Sequence, residues 1–159
     1  MFLVHTRKTI PLCDVRGQYE RISEEIDETV LSLLRSGLYI GGPIVKEFED
    51  SFAAFCGVPY CTGVSSGTSA LIHTLRAFDI GPGDSVLLPA FTFIATAAAV
   101  RTVGAKPVFV DIDADTLCLD PAKTGKALRE DTKAILAVHL FGLPADMDLL
   151  REIANKQNL

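Results

Sequence analysis

The sequence predicts an α/β fold, a parallel-type sheet with flanking helices, and two observations indicate it. From residue 60 onward, short apolar runs typical of strands alternate with segments of helical length and periodicity. Successive runs are separated by one helix each, which is the pattern of strands that run parallel. The expected strands are residues 60–64, 86–88, 107–110 and 134–140.

The first 59 residues are expected to form a helical arm. Apolar residues recur at steps of three and four between Val15 and Leu33, with glutamates between them, which is typical of an amphipathic helix. Gly37 ends that helix, and Pro43 suits the first turn of a second one. We therefore predict two parts, an N-terminal helical arm over residues 1–59 and an α/β part over residues 60–159.

The α/β part is interpreted as the beginning of a longer sheet. Four strands are few for an open α/β sheet, and they leave an apolar edge uncovered. The last predicted helix is followed directly by Leu159, at the point where the pattern calls for another strand. The expectation is that the chain continues in a longer protein.

Composition and charge exclude several classes of protein. A net charge of −5, without a basic cluster, gives no reason to expect a nucleic-acid partner. No apolar run is long enough to span a bilayer, and the N-terminus does not have the pattern of a signal peptide. The four cysteines have neither metal-site nor CxxC spacing, so no metal is expected. These features predict a cytoplasmic protein with no membrane partner.

The candidate site is expected at the carboxyl ends of the strands, where open parallel sheets bind ligands. The loops concerned are residues 65–69, 89–92, 111–115 and 139–144. The first of them has two interpretations with different chemistry.

One interpretation is a serine hydrolase. Gly63, Ser65 and Gly67 have the spacing of a nucleophile elbow, and Asp111 or Asp113 followed by His139 completes the chain order of that class. The context argues against it, since two helices occupy the region where a hydrolase needs earlier strands.

The other interpretation is a phosphate site at the start of a helix. Ser66 is a good N-cap, and Gly67, Thr68 and Ser69 offer backbone amides and two hydroxyls at the positive end of the helix dipole. Phe93, in the next loop, could stack on a planar ligand held by its phosphate. From these residues alone, a capped turn without a ligand stays equally open.

Segments along nearly the whole chain support the phosphate-site interpretation. They are IPLCDV at 10–15, SGLYIGGP at 36–43, SGTSAL at 66–71, PAFTFIATA at 89–97, PVFVDI at 107–112 and HLFGLPADM at 139–147. In this order they resemble the pyridoxal-phosphate-dependent sugar aminotransferases of the DegT/DnrJ/EryC1/StrS type. The resemblance implies the N-terminal portion of the large domain of a fold-type I, aspartate aminotransferase-like enzyme. It further implies a homodimer that transfers an amino group, usually from glutamate, to a nucleotide-linked keto sugar.

The resemblance also assigns roles to residues. Gly67, Thr68 and Ser69 correspond to the residues that hold the cofactor phosphate, and Phe93 to the ring that stacks on the pyridine. Tyr39 and Gly41 correspond to the substrate-side loop. Two positions depart from the family pattern, Ile44 in place of a frequent Glu and Ala98 in place of a frequent Asn. Both departures bear on the choice of sugar and not on the cofactor.

The catalytic residues are expected outside this sequence. In the family, the lysine that forms the Schiff base and the aspartate that pairs with the pyridine nitrogen lie on later strands, beyond Leu159. The lysines present are interpreted as solvated surface residues: Lys8, Lys46, Lys106, Lys123, Lys126, Lys133 and Lys156. The chain alone is therefore expected to be inactive. A non-catalytic binding module from a truncated aminotransferase and the Ser65 hydrolase are the alternatives.

Overall fold

The computed structural model describes residues 11–159. The chain separates into two compact units, the first ending at Gly63 and the second beginning at Val64. The predicted arm and the family-like segment at 10–15 both begin outside the described residues, and Lys8 lies outside them.

The first unit contains two helices, α1 (Val15–Ser36) and α2 (Pro43–Cys56). The Asp14 side chain caps α1 by accepting a hydrogen bond from the backbone of its first turn. Gly37 and Gly57 end the two helices in the left-handed conformation, at φ of 70° and 67°. Such helix ends favour glycine because the conformation is strained for residues with a Cβ. Both predicted helices are confirmed.

The second unit is a three-stranded parallel sheet covered by helices. Its elements are α3 (Gly67–Ala77), β1 (Ser85–Pro89), α4 (Ala95–Thr102), β2 (Lys106–Val110), α5 (Pro121–Ala127), β3 (Thr132–Ile135), a 3-10 turn at Leu140–Gly142, and α6 (Met147–Gln157). The strand order is β2-β1-β3, and both pairings are parallel. The predicted α/β fold class is confirmed.

Strand β1 is central because it pairs with β2 on one edge and with β3 on the other, and both of its faces are apolar. Val86, Leu87 and Leu88 are all fully buried. Successive side chains of a strand point to opposite faces, so Val86 and Leu88 enter one core and Leu87 enters the other. The first core contains side chains of α3 and α4, and the second contains Leu150 of α6. A continuous apolar run of this kind is typical of a parallel strand covered on both sides.

Residues 60–64 are not a strand in the described structure, which corrects the sequence prediction. Tyr60 and Val64 are exposed, and the amide of Gly63 donates to the Glu49 carboxylate instead of to a neighbouring strand. A strand needs backbone partners, and none lies beside this segment among residues 11–159.

Strand β3 begins earlier and ends sooner than predicted, at Thr132–Ile135 instead of residues 134–140. Its register explains the early end. Ile135 lies opposite Leu87, and the Leu136 amide donates to the Leu87 carbonyl at 2.8 Å. Since β1 ends at Pro89, residues that follow 137 have no partner strand, and the chain turns into the 3-10 segment.

No helix in the described part of the chain has both the length and the hydrophobicity that crossing a membrane requires.

Gly104, in the turn between α4 and β2, gives a stability test. Its φ is +87°, and a Cβ built there would lie 2.9 Å from Cγ of Pro82. Gly104→Ala is expected to lower the free energy of unfolding by about 1–3 kcal/mol, because backbone strain and overlap add. Urea unfolding followed by circular dichroism measures the change.

Gly125→Ala is the matched control for that experiment. Gly125 lies inside α5, and an added Cβ meets nothing within 4 Å. This substitution should raise the free energy of unfolding by about 0.5–1 kcal/mol, since glycine is a poor helix former. A Gly104→Ala variant as stable as the unchanged chain would contradict the account of this turn.

Candidate functional site at the carboxyl edge of the sheet

The direction of the chain brings two predicted loops to one edge of the sheet. Helix α4 begins just after the carboxyl end of β1. Helix α3 packs on the same face and returns through residues 78–84 to the start of β1, so its N-terminus also lies at the carboxyl edge. Residues 65–69, which we call the phosphate loop, and residues 90–94, which we call the ring loop, therefore lie on one rim. The loop after β3 begins at this rim as well, because β3 runs parallel to β1.

The phosphate loop is held by its own hydroxyls. Ser66 has an extended backbone and caps α3, and its Oγ accepts a hydrogen bond from the Ser69 amide at 3.1 Å. The Ser69 hydroxyl contacts the hydroxyls of Ser66 at 3.1 Å and Ser65 at 2.9 Å. The predicted N-cap is confirmed. Ser69 can meet a ligand only through its hydroxyl, because its amide is already bound.

Two backbone amides at the start of α3 remain available. Among the described residues, the amides of Gly67 and Thr68 have no hydrogen-bond acceptor. A Cβ built on Gly67 would meet nothing within 4 Å, so the space above this residue is open. The first turn of α3 also carries no acidic residue. Its partial positive charge is therefore not neutralised by the protein, which suits an anion.

Phe93, the predicted stacking residue, is exposed at the ring loop. Its side chain is 72% exposed, and its carbonyl accepts the Thr96 amide at 3.0 Å in the first turn of α4. The hydroxyls of Thr92 and Thr96 are 2.9 Å apart and close the same turn. An exposed ring on a fixed backbone is suited to stacking on a planar ligand.

An aromatic contact on this rim was not predicted from the sequence. The rings of Phe91 and Phe141 meet edge to face, with centroids 6.3 Å apart. Phe141 belongs to the loop after β3, whereas Phe91 belongs to the ring loop after β1. The sequence signals were Phe91 beside Phe93 in one loop and Phe141 before a glycine in another, and both loops were already expected at the rim.

The loop after β2 contributes charge. The Lys123 ammonium group lies 2.9 Å from the carboxylate of Asp111 and 3.6 Å from that of Asp120. The hydrogen bond from Lys123 lowers the pKa of Asp111, with a smaller effect from the Ile112 amide. The same hydrogen bond raises the pKa of Lys123. The pair partly neutralises a loop that otherwise carries several aspartates.

Asp113 has a structural role. Its carboxylate accepts hydrogen bonds from the amide and the hydroxyl of Thr116, at 2.9 and 3.0 Å. These bonds, led by the backbone amide, lower the pKa of Asp113. The carboxylate is therefore used to close the turn.

The arrangement required for a serine hydrolase is not formed. Ser65 contacts Ser69, and Asp111 is paired with Lys123. His139 Nδ1 accepts a hydrogen bond from the Ala145 amide at 3.0 Å. In a catalytic triad that nitrogen must instead donate to the acid, so the imidazole has the wrong tautomer for a general base. The geometry therefore argues against the Ser65 alternative.

Tyr39 and Gly41 lie in the first unit, in the link between α1 and α2. The Tyr39 hydroxyl donates to the Leu34 carbonyl at 2.9 Å, near the end of α1, while its side chain is 63% exposed. Gly41 has a φ of +64°. The tyrosine therefore fixes the start of the link, and its ring face remains accessible.

Comparison with known proteins identifies relatives of the chain. Residues 20–159 match the model of the DegT/DnrJ/EryC1/StrS aminotransferase family. Over 150 residues the chain is 45% identical to UDP-2-acetamido-2-deoxy-3-oxo-D-glucuronate aminotransferase of Pseudomonas aeruginosa, covering 94% of this chain and 42% of that protein. The chain spans about two fifths of the length of the curated relatives it matches.

Solved structures give the same result for the fold. DesV of Streptomyces venezuelae in complex with a ketimine intermediate superposes with a TM-score of 0.92 at 44% identity, covering 94% of this chain and 40% of that one. The pyridoxal phosphate form of Spr1654 of Streptococcus pneumoniae, described as a putative sugar aminotransferase, gives a TM-score of 0.78 at 39% identity, covering 80% and 33%. The sheet and its helices thus correspond to part of the larger domain of these aminotransferases.

The Asp111–Lys123 pair makes a prediction about pH. Because the pKa of Asp111 is lowered, the pair stabilises the fold above the ordinary pKa of a carboxyl group, and the benefit is lost as pH falls through the lowered value. Lys123→Gln should return the Asp111 pKa towards its ordinary value. Carboxyl carbon NMR titration at low salt measures it, and added salt should reduce the difference.

Lys126→Gln is the matched control for this titration. Lys126 lies in the same helix and takes part in none of the ion pairs found among residues 11–159. Its replacement should leave the Asp111 titration unchanged. Equal titrations of Asp111 in the Lys123→Gln variant and the unchanged chain would show that the pair does not form in solution.

Proposed function

The chain belongs to the DegT/DnrJ/EryC1/StrS aminotransferase family, and from this premise we propose that it supplies the phosphate-binding part of a pyridoxal 5′-phosphate site. The whole protein transfers an amino group, from glutamate, to a nucleotide-linked keto sugar. The relative named for a UDP-linked 3-oxo sugar and the relative solved in a pyridoxal phosphate form support the proposal. The observation that carries it is the open N-terminus of α3.

The residues of the phosphate loop fit a dianionic phosphate. The amides of Gly67 and Thr68 lack acceptors among the described residues and lie at the positive end of α3. The Thr68 side chain adds a hydroxyl donor, and the Ser69 hydroxyl can donate from its network with Ser65 and Ser66. Helix α6 provides a contrast, because Asp146 and Asp148 already place carboxylates at its start. The start of α3 is thus the better anion site of the two.

Phe93 fits the role of a stacking platform for the pyridine ring. It lies on the same rim as the phosphate loop, and its ring is largely exposed. A phosphate at α3 and a ring against Phe93 fix a planar cofactor at two points, which determines its orientation. The Phe93 ring also excludes water from one face of the bound ring.

In the proposed reaction, the cofactor and the residues of this chain have different roles. Pyridoxal phosphate, when bound, supplies the electron sink for amino-group transfer. The phosphate loop binds and anchors it, and Phe93 orients its ring. We propose that the proton-transferring lysine and the aspartate partner of the pyridine nitrogen are not among these 159 residues. The six described lysines support this, since all of them are exposed, and Lys46, Lys123 and Lys156 are also paired with carboxylates.

The first unit is proposed to contribute to substrate binding. Tyr39 and Gly41 form part of the link between its two helices, and the exposed face of Tyr39 can contact the sugar nucleotide. Ile44 and Ala98 occupy positions at which the family frequently has polar residues. These two residues are therefore proposed to change which sugar the protein prefers. The proposal further includes an arm over residues 1–59, the first part of the cofactor-binding large domain over residues 60–159, a homodimer and a cytoplasmic location.

A second candidate function, a non-catalytic binding module, is favoured by one observation. A groove of about 470 Å³ runs along β3 between α3 and α6, and its lining is mainly apolar. Leu71, Leu136 and Ala154 contribute to its walls. Such a groove is typical of a surface that packs against further polypeptide. Binding of a partner protein without any affinity for the cofactor would favour this function over the first.

Thr68→Val tests the phosphate site. It removes a hydroxyl donor to a dianion while keeping the shape of the side chain, so binding of pyridoxine 5′-phosphate should weaken by about 1.5–3 kcal/mol. That alcohol cannot form imines with exposed lysines. Titration calorimetry measures the affinity.

Thr74→Val is the matched control, since Thr74 lies two turns further along α3 and is exposed. Affinity should be unchanged in this variant. Unchanged affinity in Thr68→Val as well would rule out the assignment of Thr68 to the phosphate.

The isolated 159-residue chain is expected to lack transaminase activity. Without a lysine placed to move the proton, a contribution of ~10²–10⁴-fold is missing. The chain should be incubated with pyridoxal phosphate and reduced with borohydride, and the labelled lysines should be mapped. Scattered labelling of exposed lysines without turnover is expected. Stoichiometric labelling of one lysine, together with amino transfer from glutamate to a keto-sugar nucleotide, would contradict the proposal.

A further inference from the structure

Phe141 has a backbone conformation that a bulky residue rarely adopts. Its φ is 54° and its ψ is 22°, in the left-handed region. A side chain with a Cβ is strained there, and large residues avoid this conformation unless the surrounding structure imposes it. The side chain is nevertheless 81% exposed, so burial in the core does not offset the strain.

The loop around Phe141 imposes the conformation through hydrogen bonds. The Gly142 amide donates to the His139 carbonyl at 3.3 Å, and the Ala145 amide donates to His139 Nδ1 at 3.0 Å. The Leu143 carbonyl accepts from the thiol of the buried Cys118, at 3.4 Å. These contacts connect the loop to itself and to the segment after β2. The backbone of Phe141 is therefore fixed by its neighbours.

The ring of Phe141 contacts the ring loop. It meets Phe91 edge to face at 6.3 Å with an interplanar angle of 63°, the geometry that aromatic pairs prefer. Phe91 is itself half exposed, so the contact joins two loops at the rim without forming a core.

Other contacts hold the two ends of the ring loop. The Ala90 amide donates to the Val110 carbonyl at 2.8 Å, which fixes the beginning. The Thr96 amide donates to the Phe93 carbonyl at 3.0 Å, which fixes the end. Phe91 lies between these points, two residues before Phe93. Within the loop, the Thr92 hydroxyl also contacts that of Thr96 at 2.9 Å. The contact of Phe91 with Phe141 adds support from the neighbouring loop.

We infer that Phe141 is a positioning residue for Phe93. From the loop after β3 it holds Phe91, and through Phe91 it holds the ring loop so that the Phe93 ring faces the cofactor. The inference rests on the proposed function, because it concerns the ring half of that site. By this inference Phe141 affects binding of the cofactor ring and does not affect binding of the cofactor phosphate.

Phe141→Gly separates this role from stability. Glycine accepts the left-handed backbone without strain, so the thermal midpoint should stay equal or rise while the ring is lost. Affinity for pyridoxine 5′-phosphate should fall by about 2- to 10-fold, the range of an edge-to-face pair. Affinity for inorganic phosphate, which needs only the phosphate loop, should be unchanged. Phe141→Tyr should restore the affinity for pyridoxine 5′-phosphate.

Phe78→Gly is the matched control, because Phe78 is an exposed ring at the opposite end of α3. It should leave both affinities unchanged. A second readout needs no ligand: the ¹⁵N order parameter of the Phe93 amide should fall in Phe141→Gly and not in Phe78→Gly.

Three results would overturn the inference. One is an unchanged affinity for pyridoxine 5′-phosphate in Phe141→Gly, with an unchanged Phe93 order parameter. Another is an equal loss of affinity for both probes, which would make Phe141 a structural residue only. If the unchanged chain binds neither probe, the proposed function fails, and this inference fails with it.

Discussion

Strand β1 is buried on both faces, and the rest of the second unit depends on this burial. Val86 and Leu88 need apolar cover on one side and Leu87 needs it on the other, so helices must pack against both faces. Each connecting helix then runs back to the start of the next strand. The starts of α3 and α4 are consequently directed to the carboxyl edge, where their amides and loops can meet a ligand. The core thereby determines where the site can be.

The rim differs from the core in how it is stabilised. In the core, buried polar side chains are paired, as Ser85 is with Asp131 and Thr132. At the rim, two amides of α3 lack acceptors among the described residues, Phe93 is exposed, and Phe141 has a strained backbone. The strained backbone costs stability in the free chain, whereas the open amides and the exposed ring are available to a ligand. Such local costs are typical of binding sites and are offset by the packed core.

Sequence patterns predicted the features that depend on neighbouring residues. The parallel α/β arrangement, the Ser66 cap and the helix end at Gly37 follow from local spacing and residue type. Features that depend on distant partners were missed or wrong. Residues 60–64 have strand-like composition but no partner in the described structure, and β3 ends where β1 does. The Phe91–Phe141 contact joins loops fifty residues apart in the chain, so no local pattern contains it.

The proposed phosphate site is tested most directly by finding where on the chain a cofactor analogue binds. Amide chemical-shift mapping of the ¹⁵N-labelled chain during titration with pyridoxine 5′-phosphate locates the phosphate. The largest saturable shifts are expected at Gly67 and Thr68, with smaller ring-current shifts around Phe93 and none at the start of α6. Saturable shifts centred on α6 or on the loop after β2, with the amides of α3 unaffected, would contradict the central claim that the start of α3 is the phosphate site.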